Sequence, residues 1–319
     1  MLKAGFDIGG TKCAAVLGKC GPDGLIRVLG RRVFATADFP EPEACLGELC
    51  RSFRLLYADF GGGEPVDGIG ISCGGPLDSR CGIIQSPPNL PGWDSVRAVE
   101  IVTRITGLAA KLENDANAGA LAEWKFGAGR GTGNMVFLTF GTGLGAGIIA
   151  NGQLLAGACG MGGECGHIRL AQEGPVGYGK RGSFEGFCSG GGIARLGKMR
   201  GEAALLSGRP FAWGRSPADL ERVTARSLAE AADAGDPDAR AIYEESGRRL
   251  GQGLAILIDI LNPECIVIGS VFARSGHLLR PAMERVLESE ALDVSRRVCR
   301  IVPAELGETI GDLACLAVC

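Results

Sequence analysis

Gly5-Phe6-Asp7-Ile8-Gly9-Gly10-Thr11-Lys12 is the stretch that decides the fold. Two apolar runs flank its turn, Lys3 to Ile8 and Cys13 to Leu17, and they read as a strand pair about Gly9-Gly10-Thr11. Further along the chain the arrangement recurs. Met135 to Phe140 and Ala146 to Ala150 read as strands joined through Phe140-Gly141-Thr142-Gly143. Each hairpin then reaches another turn, Gly21-Pro22-Asp23-Gly24 in the first case and Asn151-Gly152 in the second. An internal duplication is expected, with two α/β units facing each other across a cleft. The expected division is a small N-terminal lobe of residues 1–116 with 304–319, and a large C-terminal lobe of residues 117–303.

The rest of the chain alternates strand and helix patterns, as α/β proteins do. Leu25 to Ala35, Val66 to Ser72, Ala109 to Leu112, Cys265 to Ile268 and Cys299 to Val302 read as strands. Leu46, Leu49, Phe53 and Leu56 recur at helical spacing within Glu43 to Tyr57. Helices are also expected over Ser95 to Thr106, Ala116 to Phe126, Pro237 to Leu261 and Gly276 to Glu288, and Ile310 to Val318 is a last apolar stretch.

Composition removes several classes. The 53 glycines in 319 residues have no three-residue period, which excludes a collagen-like chain. A hydrophobic share of 46% with 22% charged residues is that of a globular protein. Net charge is −3, from 33 basic and 36 acidic residues, with no basic stripe, so nucleic acid is not an expected partner. The run Leu254 to Ile258 stops at Asp259, far short of a membrane span. Asp7 and Lys12 interrupt any signal-peptide core, so a cytoplasmic location is expected. The 13 cysteines are scattered without a CxxC and read as reduced thiols.

Four motifs carry chemistry. In Gly9-Gly10-Thr11-Lys12 a turn without side chains lets backbone N–H groups approach phosphate oxygens. Thr11 adds a hydroxyl and Lys12 a charge, and Asp7 beside them suits Mg²⁺, held directly or through water. The threonine and lysine stand in the wrong order for a Walker A loop. In Gly141-Thr142-Gly143-Leu144-Gly145-Ala146-Gly147 the glycines alternate and a strand follows, which disfavours a dinucleotide fingerprint. One such loop per half would clamp a nucleotide's phosphates. Glu113-Asn114-Asp115-Ala116-Asn117 lies where a strand gives way to a helix. Asp115 there is either the helix N-cap or a general base for a substrate hydroxyl, and Asn114 offers both a donor and an acceptor. In Gly162-Gly163-Glu164-Cys165-Gly166-His167, followed by Ser183-Phe184-Glu185, a carboxylate and an imidazole three apart can grip adjacent sugar hydroxyls; the alternative is a plain polar loop. Gly70-Ile71-Ser72-Cys73-Gly74 matches GxSxG, but Gly75-Pro76-Leu77-Asp78 opens a loop where a hydrolase needs a helix.

In this order and spacing the four motifs resemble the ROK family of sugar kinases and sugar-responsive repressors. The resemblance runs from Gly5 to about Gly269. It includes Pro88-Asn89-Leu90-Pro91-Gly92-Trp93, similar to the family's sugar-side loop, and Asn262-Pro263-Glu264-Cys265-Ile266-Val267-Ile268-Gly269, similar to its adenosine-side segment. It implies a hexokinase/actin-like (ribonuclease H-like) two-lobe fold with ATP in the interlobe cleft. It implies transfer of the γ-phosphoryl group to a hexose hydroxyl, with glucose at C6 as the lead substrate, helped by lobe closure. Carried over, Asp115 is the base, and Asn114, Glu164, His167 and Glu185 contact the sugar, with Gly75 and Asn89 as further candidates. Asp7, Gly9, Gly10, Thr11, Lys12, Gly141, Thr142, Gly143, Gly145 and Gly269 serve ATP and its Mg²⁺. The resemblance also implies a homodimer. The other acceptors to weigh are N-acetylglucosamine and N-acetylmannosamine.

One departure stands out. The family usually carries CxCGxxGCxE, whose cysteines join the histidine around a structural zinc. Here Val176, Tyr178 and Ser183 stand in their places, although Glu185 remains. One histidine and one serine do not make a tetrahedral site, so no zinc is expected. The imidazole of His167 then needs another orienting partner, and a hydrogen bond from Tyr178 or Ser183 is expected to serve. The family's repressors carry an N-terminal helix-turn-helix. With the first phosphate loop already at Gly5, a DNA-binding role is not expected, and a catalytically silent sugar-binding regulator is the alternative outside the enzymes.

Overall fold

The structure, a computed structural model, describes residues 1–319. The duplication expected from the hairpins is visible in its sheets. The first sheet runs Ile26–Ala35, Lys12–Cys20, Leu2–Ile8, Val66–Cys73, Ala110–Asn114 from edge to edge. The second runs Gln153–Leu154, Ala146–Ala150, Met135–Leu138, Cys265–Ile268, Arg300–Pro303. Numbered within each sheet the order is the same, 3-2-1-4-5. In both, the hairpin strands are followed by parallel additions: Val66–Cys73 pairs parallel to Leu2–Ile8, and Cys265–Ile268 pairs parallel to Met135–Leu138. The chain gathers into two compact units, one of Met1–Gly131, Gly147–Gly162 and Glu305–Cys319, the other of Thr132–Ala146 and Gly163–Ala304.

Strand alternation explains how the first unit is built. Leu2, Ala4, Phe6 and Ile8 enter a core with Ile69, Ile71, Cys73 and Leu112, packed against Leu46, Leu49 and Phe53 of helix Pro42–Phe60. Gly5, Gly18 and Gly70 leave the opposite face nearly bare, and helix Ile310–Val318 lies on it, with Ala118 and Ala122 of helix Asp115–Phe126 in the same cluster. The approach is close. A Cβ on Gly5 would stand 2.4 Å from Cys315 Sγ, and one on Gly70 would stand 2.0 Å from the Cys315 carbonyl oxygen. Because Asp7 alternates with Phe6 and Ile8, it belongs to this glycine face and meets the start of the C-terminal helix there.

Most element positions follow the sequence pattern. Pro237–Leu261, Cys265–Ile268 and Ala146–Ala150 lie where the pattern puts them. The helix expected from Gly276 begins earlier, at Val271, with a non-helical residue at Ser275. Asn151 and Gly152 both take positive φ, the turn that an Asn-Gly pair favours in hairpins. The pattern assigned nothing to helices Gly190–Leu206, Pro217–Glu221 and Ala225–Asp233. No helix is long and apolar enough to cross a membrane.

Two glycines test this packing in opposite directions. Gly70→Ala forces a methyl group into backbone and should lower unfolding free energy by about 1–3 kcal/mol or more. Gly47→Ala, inside helix Pro42–Phe60 with nothing within 4 Å of the new Cβ, should raise it by about 0.5–1 kcal/mol. Urea unfolding of both variants checks the pair.

Candidate active site

The first unit gathers its candidates where three parallel strands end level. Ile8, Cys73 and Asn114 stand side by side in register. Ligand sites of α/β folds lie beyond such carboxyl ends. Here the chain continues into the Gly9-Gly10-Thr11 turn, the Gly74-Gly75-Pro76 segment and helix Asp115–Phe126.

The turn is fixed from below. Gly9 N–H donates to the Lys12 carbonyl at 3.1 Å, Thr36 Oγ1 donates to the Gly9 carbonyl at 2.6 Å, and Thr36 N–H donates to the Thr11 carbonyl at 3.0 Å. Gly10, Thr11 and Lys12 are exposed. A Cβ on Gly10 would stand 2.5 Å from the Asn89 carbonyl oxygen, so the Asn89 loop lies directly against the turn. Leu90 and Trp93 bury themselves in the core and hold that loop down.

Asn114 is the N-cap, its Oδ1 accepting from Ala116 N–H at 2.9 Å and from Asn117 N–H at 3.4 Å. Its amide nitrogen is turned toward Gly75, 3.4 Å from where a Cβ there would stand. Asp115 is the first helical residue, so the turn does not depend on its carboxylate, although Oδ1 also accepts from Ala116 N–H at 2.8 Å. The side chain is open to solvent on one side. Protein crowded around its other sides desolvates it and pushes its pKa above the ordinary carboxylate value, opposed by the backbone N–H groups of Ala116 and of Asp115 itself.

Asp7 is crowded as well. Its Oδ2 would stand 3.1 Å from a Cβ on Gly311, and desolvation followed by the charge of Asp312 raises its pKa from the ordinary 3.8 to about 6. Arg31 opposes the rise while paired to Asp312 at 2.8 Å, and Asp115 adds to it. No three histidine, cysteine, aspartate or glutamate side chains gather into an ion cage.

The second unit gathers the other candidates around Gly141–Gly145. Gly141 N–H donates to the Gly143 carbonyl at 3.0 Å, and Gly145 N–H donates to Thr139 Oγ1 at 3.0 Å. The loop's carbonyls accept from the first residues of two helices: Gly190 N–H reaches Gly141 at 2.7 Å, Gly191 N–H reaches Thr142 at 3.2 Å, and Val271 N–H reaches Phe140 at 3.0 Å. Gly269 sits beside it, its N–H donating to the Leu138 carbonyl at 2.8 Å. Glu185 is tied to the same loop, with Oε2 accepting from Leu144 N–H at 3.1 Å and standing 2.8 Å from where a Cβ on Gly143 would be. Gly166 packs against the Leu144 carbonyl and continues into the 3-10 turn Cys165–His167. Glu164 and His167 flank that turn, joined by His167 N–H to the Glu164 carbonyl at 3.1 Å, and both are exposed.

Where the family motif has cysteines, residues 176–181 form a hairpin. Val176–Gly177 pairs with Lys180–Arg181, and Tyr178 and Gly179 close the turn at positive φ. Ser183 does not serve His167: its hydroxyl accepts from Gly186 N–H at 3.1 Å as an N-cap and donates to the Gly177 carbonyl at 3.4 Å. Tyr178 meets His167 through its ring, edge to face at 6.4 Å between centroids, and Lys180 Nζ donates to the His167 carbonyl at 2.7 Å. A ring contact thus stands where a tyrosine hydrogen bond was expected.

Sequence reasoning passed over Thr36, Gly190, Gly191, Gly311 and Asp312. Only Gly190-Gly191-Gly192 carried a local signal, a glycine run at a helix start. Ser72 of the GxSxG match is a buried strand residue and no helix follows it.

The model of the ROK family matches residues 3–317. A glucokinase of Thermotoga maritima is 34% identical over 286 residues, 89% of this chain and 86% of the relative. Among solved structures, a ROK hexokinase from Thermus thermophilus superposes with a TM-score of 0.80 at 30% identity, over 100% of this chain and 97% of its own. A ROK glucokinase from Streptomyces griseus, solved with glucose and AMPPNP, superposes at 0.73 with 30% identity, over 99% and 98%. Matches of other kinds include an N-acetylmannosamine kinase of Escherichia coli, 32% identical over 92% of this chain and 91% of the relative. A xylose repressor of Caldicellulosiruptor bescii is 30% identical over 78% and 61%. The fold is therefore the hexokinase/actin-like one expected from the sequence.

The direction of the Asp7 shift fixes a linkage. A carboxyl whose folded pKa is raised stabilises the protein below its unfolded value near 3.8, and that contribution is lost as pH rises through about 6. Asp7→Asn stays neutral, so its thermal midpoint should exceed the parent's above pH 6, with the gap closing toward pH 4. Thermal unfolding across that range, without nucleotide or divalent cation, checks it.

Proposed function

The chain belongs to the ROK family, and from that premise we propose that it is an ATP-dependent hexose kinase, with glucose as the lead acceptor at its C6 hydroxyl. The observation that carries the proposal is the division of labour at the helix start. Asn114 caps the turn, and Asp115 presents a solvent-open carboxylate of raised pKa beyond the level ends of three strands. That is what a general base for an alcohol requires.

In the proposed reaction Asp115 accepts the proton of the sugar hydroxyl as its oxygen bonds to the γ-phosphorus. The bond from that phosphorus to the bridging oxygen breaks, and ADP leaves with the electron pair. Such a transfer needs positioning and charge stabilisation more than covalent help. Asn114, Glu164, His167 and Glu185 hold the sugar hydroxyls, with Gly75 and Asn89 beside them. Gly9 to Lys12 and Gly141 to Gly145 hold phosphates, the second loop aided by the positive ends of the helices that start at Gly190 and Val271. Gly269 lies on the adenosine side. Asp7 fits Mg²⁺, because its acidic neighbours leave a local surplus of negative charge and Mg²⁺ takes most of its ligands from phosphates and water. The ion supplies charge neutralisation on the phosphate oxygens. The glucose and AMPPNP bound by the Streptomyces griseus glucokinase support this choice of substrates.

The N-acetylmannosamine kinase relatives favour a second acceptor class, N-acetylhexosamines, and the repressor relative favours a silent sugar-binding regulator. A coupled ADP-release assay over glucose, mannose, fructose, allose, N-acetylglucosamine and N-acetylmannosamine separates them. Glucose turning over fastest is the expected result. Sugar binding without ADP release is the regulator's signature.

Asp115→Asn should lower kcat by about 10²–10⁴-fold. Nucleotide affinity by calorimetry should stay within about threefold, because the residue acts on the acceptor rather than on the nucleotide. In the parent, kcat/KM should fall on the acid side as Asp115 takes up a proton, at a pH above the ordinary carboxylate range.

A further inference from the structure

Glu113, next to last in strand Ala110–Asn114, has no part in the reaction above. Yet one of its oxygens, Oε1, collects three hydrogen bonds from separate parts of the chain. Ser79 Oγ donates at 3.1 Å from the segment after Leu77–Asp78, Asn114 N–H at 2.9 Å from the end of the strand, and Asn117 Nδ2 at 2.9 Å from the first turn of helix Asp115–Phe126. Two of these donors belong to the Asn114–Asn117 turn itself, and the third comes from outside it.

Asn117 shows how firmly the arrangement is set. Its side chain is buried, and with Nδ2 spent on Glu113 its Oδ1 has no partner. A buried unpaired carbonyl is costly. Turning the amide over would set that oxygen against the Glu113 carboxylate, which is worse, since an ionised carboxylate only accepts. The carboxylate therefore dictates the orientation of Asn117 and fixes the helix's first turn to the strand end.

We infer that Glu113 is a positioning residue, which locks the Asn114–Asn117 turn and thereby aims the Asp115 carboxylate and the Asn114 amide. Its catalytic consequence rests on the kinase reading; its local consequence does not. A hydroxyl and a base must meet within a fraction of an ångström, and a misplacement of about 1 Å can cost roughly 100-fold in rate.

The test uses the full chain and two readouts. In Glu113→Ala, hydrogen exchange at the amides of Asn114, Ala116 and Asn117 should accelerate by roughly tenfold or more while the rest of the chain is unchanged. The same variant should lose about 10–100-fold in kcat, with hexose KM rising by less than about fivefold, because the base acts only in the transition state. Glu113→Gln keeps a carbonyl acceptor and should recover to within about fivefold of the parent. Ser79→Ala removes one donor and should give a smaller effect of the same kind, which covers the case in which Glu113→Ala does not fold. Unchanged exchange at the turn, or a kcat within twofold of the parent despite faster exchange, overturns the inference. A parent that phosphorylates no sugar in the panel overturns the kinase reading instead, and the exchange measurement then decides the positioning role alone.

Discussion

The hydrogen bond from Ala116 N–H to Asn114 Oδ1 governs how the first unit's site is read. A helix start has unsatisfied N–H groups, and whichever side chain satisfies them is committed to structure. Asparagine takes the N–H groups of both Ala116 and Asn117, so the carboxylate that follows only shares the first of them, through one oxygen. The same bond fixes the asparagine's rotamer, so its amide nitrogen faces Gly75, where the bare chain leaves room. Everything around this point serves to keep the strand end and the helix start in register: the level termini of three strands, the small-residue face that admits the C-terminal helix, and the loop pinned by Leu90 and Trp93.

The two glycine loops look alike in sequence and are braced by different means. Gly9 to Lys12 is held by the side chain and backbone of Thr36, which occupy its carbonyls from one side and leave Gly10 to Lys12 open. The carbonyls of Gly141 and Thr142 are taken by Gly190 and Gly191, and a helix start approaches the loop from Val271. Carbonyls taken up by the protein do not repel an anion at the loop, and helix starts add their positive ends. Asp7, just ahead of the first loop in the chain, carries the opposite electrostatics, crowded by Asp312 and Asp115, so the first unit keeps a destabilising carboxylate where a more stable chain would have none. Such strain is expected at functional sites rather than in cores.

Much of this was legible in the sequence, and the remainder was hidden for physical reasons. The hairpins, the Asn151-Gly152 turn, helix Pro237–Leu261 and the repeat of the first sheet's opening are written in local periodicity and turn chemistry. Helix Gly190–Leu206 was not, because it begins with three glycines and its first N–H groups are satisfied by a loop some fifty residues earlier. The cap was ambiguous because Asn114 and Asp115 are adjacent and both residue types cap well; both oxygens reach Ala116 N–H, and only that of Asn114 also reaches Asn117 N–H. Gly311 and Asp312 shape Asp7 from the far end of the chain, beyond the reach of any local motif.

His167 shows how one substitution pattern redistributes work across a loop. With Val176, Tyr178 and Ser183 in place of cysteines, the segment is braced by contacts within the chain. Ser183 supplies an N-cap for helix Phe184–Phe187, which fixes Glu185 against the glycine loop. The Arg169 guanidinium donates to the Arg181 carbonyl at 2.7 Å and Leu170 N–H donates to the Gly182 carbonyl at 2.8 Å, tying the hairpin to the strand of chain after His167. Lys180 takes the His167 carbonyl and the Tyr178 ring takes its imidazole edge to face, a geometry that aromatic rings favour. A ring contact limits the tilt of an imidazole but does not choose which nitrogen carries the proton. Under the proposed function, the tautomer of His167 is left to the sugar hydroxyl, whereas a hydrogen bond or a metal on the other nitrogen would have fixed it beforehand.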